Sequence, residues 1–187
     1  MTKSLILKLS VLFFVSIFLT GCLTVEKKHY EYTLNADGSG SGKIVYENIV
    51  STKDEEKDVS ITDFAELMDG YINGDRFEGD NPNFTVTGKK LYEKNGQLWG
   101  EVTFTFANAM DAGILFEKDC NCTPVYVNIS DFSEEFDASN SGVFLGAESK
   151  INLIKYPSGT KKIDFSTYVQ RDLENTVSLL KLYNASK

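Results

Sequence analysis

The side chains best suited to chemistry in this chain are three cysteines and one histidine: Cys22, Cys120, Cys122 and His29. Nucleophilic catalysis of the Ser-His or Cys-His kind needs an imidazole beside its nucleophile, and a histidine-built metal site needs several. A single histidine leaves little room for either. Cys120-Asn121-Cys122 sets two thiols two positions apart. A disulfide between them is a candidate, but it needs a turn, because extended backbone holds such Cα atoms too far apart. A redox role finds no CxxC motif to support it, and two sulfurs are too few for a structural zinc ion. The neighbouring carboxylates Glu134 and Glu135 could act as acids, yet on a polar stretch such neighbours read as a solvated edge. No catalytic residue, metal or cofactor is expected, and the chain is read as a non-enzyme.

The glycine-rich stretch Asn35-Ala36-Asp37-Gly38-Ser39-Gly40-Ser41-Gly42 invites three motif readings and fails each. A phosphate-binding loop needs glycine where Asp37 stands and Ser or Thr where Ile44 stands. A dinucleotide fingerprint needs a helix to follow, where the sequence reads as a strand. A calcium loop starting at Asn35 has Tyr46 instead of Glu at its twelfth position. Turn chemistry is the better account, with glycines supplying positive φ between two strands.

Cys22 has a different context. Lys3 and Lys8 give a short basic start, and Leu9 to Leu19 form an apolar segment. That segment is shorter than the ~20 residues a permanent membrane helix requires. It closes on Leu19-Thr20-Gly21-Cys22, which resembles the lipobox of bacterial lipoproteins. The resemblance covers the first 22 residues. It implies that residues 1–21 are a signal peptide removed before Cys22, and that Cys22 carries diacylglycerol and palmitate-type chains. An uncleaved anchor, or an ordinary secretory signal with a chance cysteine, are the alternatives. Each buried methylene contributes about 0.8 kcal/mol, so two or three chains anchor durably where one does not. Leu23, standing where Asp would mark retention, implies the outer membrane of a two-membrane cell. In a one-membrane cell the same chain would sit on the outer face of the cytoplasmic membrane.

Residues 1–21 contain two lysines and no acid, so their removal takes the formal charge from −8 to −10. The remaining residues 22–187 make a single globular domain, long enough to bury roughly two thirds of its unfolded surface. Its acidity repels nucleic acid and anionic headgroups alike. The partners expected are therefore the membrane, through the lipid anchor, and another envelope protein, with no nucleic acid.

The elements that must position any site are mostly strands. Tyr30, Tyr32 and Leu34 alternate with polar residues on a strand starting near Val25, and Lys43 to Val50 is its hairpin partner. Ile61, Phe64, Ala65, Met68, Tyr71 and Ile72 recur at helical spacing, with Ser60 and Asp63 placed as a capping box. Asn95-Gly96 specifies a two-residue hairpin. That register sets Tyr92 opposite Trp99 and Lys90 opposite Glu101, and aligning Phe84 and Val86 with the apolar face requires a one-residue bulge near Gly88. Tyr92 and Trp99 lie opposite the apolar row, so they are either covered by another element or form a candidate partner patch. Asn108 to Thr123 reads as a short helix or loop over one end of the sheet, or as a hydrophobic lip. Further strands are expected over Val125 to Ile129, Gly142 to Tyr156 and Lys161 to Val169, then a closing helix carrying Leu173, Val177 and Leu180.

The fold class is thus α+β: a curved, mainly antiparallel sheet of about seven strands with an inserted helix and a C-terminal helix. An aromatic strand, then D-G-S-G, then a second strand resembles a loose class of uncharacterised bacterial envelope lipoproteins, and more faintly the LppM-like domain, over about 30 residues. That likeness implies no known reaction. Two roles remain: a membrane-anchored binding or scaffolding module for another envelope component, and a carrier of a lipid or other apolar molecule in a cupped sheet. An internal cavity on the Phe104 and Phe106 face favours the carrier; a filled core with an exposed Tyr92 and Trp99 favours the scaffold. A thiol enzyme would require Cys120 or Cys122 to be exposed and reactive.

Overall fold

The structure is a computed structural model that describes residues 22–117, 123–130, 133–146 and 152–187. The signal segment 1–21 and the Cys120 and Cys122 pair lie outside the described residues. Strand β1 (Leu23–Leu34) starts immediately after Cys22, earlier than the alternation suggested, and runs against β2 (Gly40–Thr52). Between them Gly38 takes φ 88°, and Asp37 Oδ1 accepts hydrogen bonds from the Ser39 amide and hydroxyl. The turn is therefore shorter than the glycine-rich stretch. Gly40 and Gly42 belong to β2, because the rings of Phe106 and Phe104 lie across them: a Cβ there would come within 2.4 and 2.5 Å of those rings.

β3 (Phe84–Lys94) and β4 (Gln97–Phe106) form the second hairpin, with Asn95 at φ 55° and Gly96 at φ 74°. Tyr92 pairs with Trp99 and Lys90 with Glu101, and the register shifts between Val86 and Gly88, where a bulge was required. Three short strands follow: β5 (Ile114–Leu115), β6 (Val125–Asn128) and β7 (Glu135–Ala138). After them come β8 (Val143–Phe144), β9 (Leu153–Tyr156), β10 (Lys162–Tyr168) and β11 (Thr176–Ser178). The main sheet has seven strands, in the order β3-β4-β2-β1-β10-β7 with β11 on β2 beyond the end of β4. A second sheet, β5-β6-β9-β8, was not foreseen. Every pairing among the described strands is antiparallel.

The inserted helix is α1 (Ser60–Glu66), which continues as a π-helix over Leu67–Ile72 and is followed by α2 (Arg76–Asp80). Its most deeply buried residues are Ser60, Asp63 and Leu67; Phe64, Tyr71 and Ile72 of the apolar stripe pack beside them, whereas Ile61 is 75% exposed. The capping box does not form. Asp58 accepts the Ser60 amide instead, while the Asp63 carboxylate turns inward and accepts the Ser51 hydroxyl at 2.6 Å. The closing helix, α3 (Leu180–Ala185), is shorter than its sequence pattern, because β-branched Thr176 and Val177 extend along β2 and fill hydrogen bonds that β4 leaves open.

Two lids cover the inner face of the main sheet. Tyr30, Tyr32, Leu34, Phe104, Phe106 and Ile163 pack with the second sheet, through Ile114, Val127, Ile154 and Tyr156. Val25, Ile49 and Leu98 pack with Leu67 and Leu179, joined by partly buried Phe64, Leu182 and Tyr183.

Candidate functional site

Between these two lids the sheet is left uncovered, and a cleft of about 700 Å³ opens there. Its floor is the centre of the sheet, with Tyr32, Ile44, Tyr46 and Val102. Its walls include the π-helical turn and α2, with Leu67, Tyr71 and Phe77, and the turn Met110 to Gly113 before β5. The volume lies within the usual range of small-molecule sites, as does the pairing of apolar walls with a few polar groups. Leu23, Thr24 and Val25 line one end, so the cleft reaches the first residues after Cys22. Phe104 and Phe106 share the floor's face of β4 but are packed into the core beside it.

The polar groups come from strand parity. Along β7 and the residue before it, Glu134 and Phe136 point inward while Glu135 and Asp137 point outward, as a period of two demands. The two neighbouring glutamates thus have opposite fates. Glu135 is 66% exposed and pairs with Arg171. Glu134 is 7% exposed, at the cleft wall, and accepts Lys28 Nζ at 2.6 Å, the Tyr30 hydroxyl at 2.8 Å and the Thr167 hydroxyl at 2.5 Å. Three donors fill most of the lone-pair positions of one carboxylate. Lys28 spends one N–H on Glu134 and lies 5.8 Å over the Tyr46 ring. Burial, with Glu134 nearby, pushes the Tyr30, Tyr32 and Tyr46 phenols well above their ordinary range. They stay protonated, so they can donate. Tyr32 and Tyr46 make no side-chain hydrogen bond among the described residues.

The outer face carries paired charges: Lys27 with Asp137, His29 with Glu47, Lys43 with Glu31 and Lys90 with Glu101. Trp99 sits among them at 5% exposure and Tyr92 is half-buried. Side chains of the same face lie against the indole: the His29 ring stacks at 6.0 Å and Lys94 Nζ lies 4.0 Å over it. Its Nε1 has no partner among the described residues. Cys22 begins the described chain beside Asp54 and Asp63, and burial followed by those two charges raises its thiol pKa. The Thr52 amide donates to its carbonyl at 2.7 Å, which ties the backbone of Cys22 to β2.

Among the described residues no group of three or more His, Cys, Asp or Glu could hold a metal ion, and no helix is long and apolar enough to cross a membrane. Comparison with protein-family models, curated proteins and solved structures finds no match to this chain. The cleft must therefore be read on its own chemistry. Sequence reasoning missed it because its walls come from separate elements. The available signal was Tyr30, Tyr32, Ile44 and Val102 on one face together with Lys28 in the same inward phase.

Proposed function

We propose that this chain is a membrane-anchored, non-enzymatic binding protein that carries a lipid or other apolar small molecule in the inner-face cleft. The 700 Å³ volume bounded by Ile44, Val102, Leu67 and Phe77 is the observation that supports this reading. A module that only scaffolds has no need of an apolar-walled cleft of the size that small-molecule sites have. Acylation of Cys22, at the outer membrane or the outer face of the cytoplasmic membrane, would hold the domain with almost no tether, since β1 starts at Leu23. Leu23 to Val25 would then bring one end of the cleft to the lipid surface.

Native mass spectrometry of the protein extracted from its own membranes in mild detergent tests the proposal. A bound small molecule that dissociates on activation is the expected result. A second protein in stoichiometric amount, with the cleft unliganded, would support the scaffolding role instead. Feeding cells an alkyne-tagged fatty acid tests the anchor: the tag should appear on the chain and be lost in Cys22→Ser.

A further inference from the structure

We infer that the molecule held in the cleft is an uncharged acyl ester or amide whose carbonyl is held by donors from Lys28, Tyr32 and Tyr46, and not an anionic lipid. The inference rests on the proposed carrier role and names the ligand's head chemistry.

The donor and acceptor inventory of the cleft is one-sided. Glu134, its buried carboxylate, is already engaged by Lys28, Tyr30 and Thr167, so it offers a ligand little. Donors remain: the unused N–H groups of Lys28 and the hydroxyls of Tyr32 and Tyr46. Tyr32 lines the cleft floor and its hydroxyl makes no side-chain hydrogen bond among the described residues, so it can donate to an acceptor on a bound molecule. A carbonyl, a carboxylate and a phosphate are all such acceptors.

Charge separates them. Lys28 is already neutralised by Glu134 at 2.6 Å, and Lys89 by Glu78 at 2.6 Å. The exposed Asp80 and Asp111 also line the cleft, and neither is in an ion pair among the described residues. An anionic head would enter past two uncompensated carboxylates and find no unpaired cation among the described residues inside, on a chain whose overall charge is −8. A cationic head would suit the rim but would find donors inside and no free acceptor, since Lys28, Tyr30 and Thr167 occupy Glu134. An uncharged carbonyl meets the donors without either mismatch, and its tail extends over Ile44, Val102 and Leu67.

The test uses the full chain extracted from membranes and exchanged into an amphipathic polymer. It is exposed to three photoreactive probes with one common alkyl tail, ending in a methyl ester, a carboxylate or plain hydrocarbon, and the labelled residues are mapped by mass spectrometry. Wild-type protein should be labelled in the cleft about tenfold more by the ester than by the carboxylate at equal concentration. Tyr46→Phe, which removes a hydroxyl that has no side-chain partner among the described residues, should bring ester labelling down toward that of the hydrocarbon. Asp80→Asn combined with Asp111→Asn should raise carboxylate labelling. Equal or stronger labelling by the carboxylate in wild type overturns the inference while leaving the cleft as a binding site, as does equal labelling by ester and hydrocarbon. Failure of all three probes to label the cleft removes the carrier reading itself.

Discussion

Glu134 and Glu135 show how far one position along a strand changes what a carboxylate does. Replacing Glu134 with Gln leaves Lys28, Tyr30 and Thr167 pointing at a group with one acceptor oxygen and two N–H donors, in a site that is 7% exposed. The loss should be about 2 kcal/mol, seen as a lower urea midpoint at unchanged slope. Glu135→Gln, on a 66% exposed side chain paired with Arg171, should stay within about 0.5 kcal/mol of wild type. Two aspartates make opposite predictions for pH. Burial raises the pKa of Asp63, and the Glu66 charge adds to this, although the Ser51 hydrogen bond pulls the other way. Its ionisation therefore costs stability above the folded-state pKa, and the cost vanishes below the unfolded value near 3.9. Burial also pushes on Asp137, but hydrogen bonds from Lys27 and Ser166 outweigh it and hold that carboxyl low. It contributes stability above the unfolded value that is lost as pH falls through the folded one. Denaturation midpoints from pH 3 to 7 should show Asp63→Asn gaining on wild type as pH rises and Asp137→Asn falling behind.

At the scale of elements, the hairpins carry their instructions locally and the interruptions do not. Asn95-Gly96 needs only its own two positive φ values, so the pairing of Tyr92 with Trp99 and the bulge at Gly88 were legible from the chain. Gly40 and Gly42 were read as loop because what requires them lies two strands away in sequence: aromatic rings from β4 resting on a strand without side chains. Gly42→Ala should cost about 1–3 kcal/mol, because its Cβ would come 2.5 Å from Phe104 and 3.0 Å from Tyr32. Combining it with Phe104→Leu should recover part of the loss, and a double-mutant cycle measures the coupling. The closing helix was over-read for a similar reason. Residues 176–178 have helical periodicity with the residues around them, yet β2 past the end of β4 offers unpaired backbone groups, and ladder hydrogen bonds outweigh a weak propensity. Asp63 escaped its capping role because Ser51, far off in sequence, supplies it with a buried donor.

For the whole molecule, the sheet class was legible because alternation repeats strand after strand, whereas the cleft was not, because a volume is a property of how covers fail to meet. The second sheet closes one half of the inner face and α1 with α3 closes the other, and the space between them is written in no single segment. The same geometry separates two substitutions that look alike in sequence. Val102 and Leu98 are both buried, inward-facing residues of β4, but Val102 borders the cleft and Leu98 sits at 0% exposure inside the packed cluster with Val25 and Leu179. Enlarging Leu98 to Phe has nowhere to go and should destabilise by about 1–3 kcal/mol. Enlarging Val102 to Phe can project into open volume, so its unfolding midpoint should stay within about 1 kcal/mol of wild type, since the new ring gains contacts where wild type has none. If the cleft is where an apolar molecule rides, that same variant should extract from membranes without the bound species that accompanies wild type. A Val102→Phe protein as destabilised as Leu98→Phe would mean that the two covers leave no room beside Val102, and the carrier reading would then lose the space it depends on.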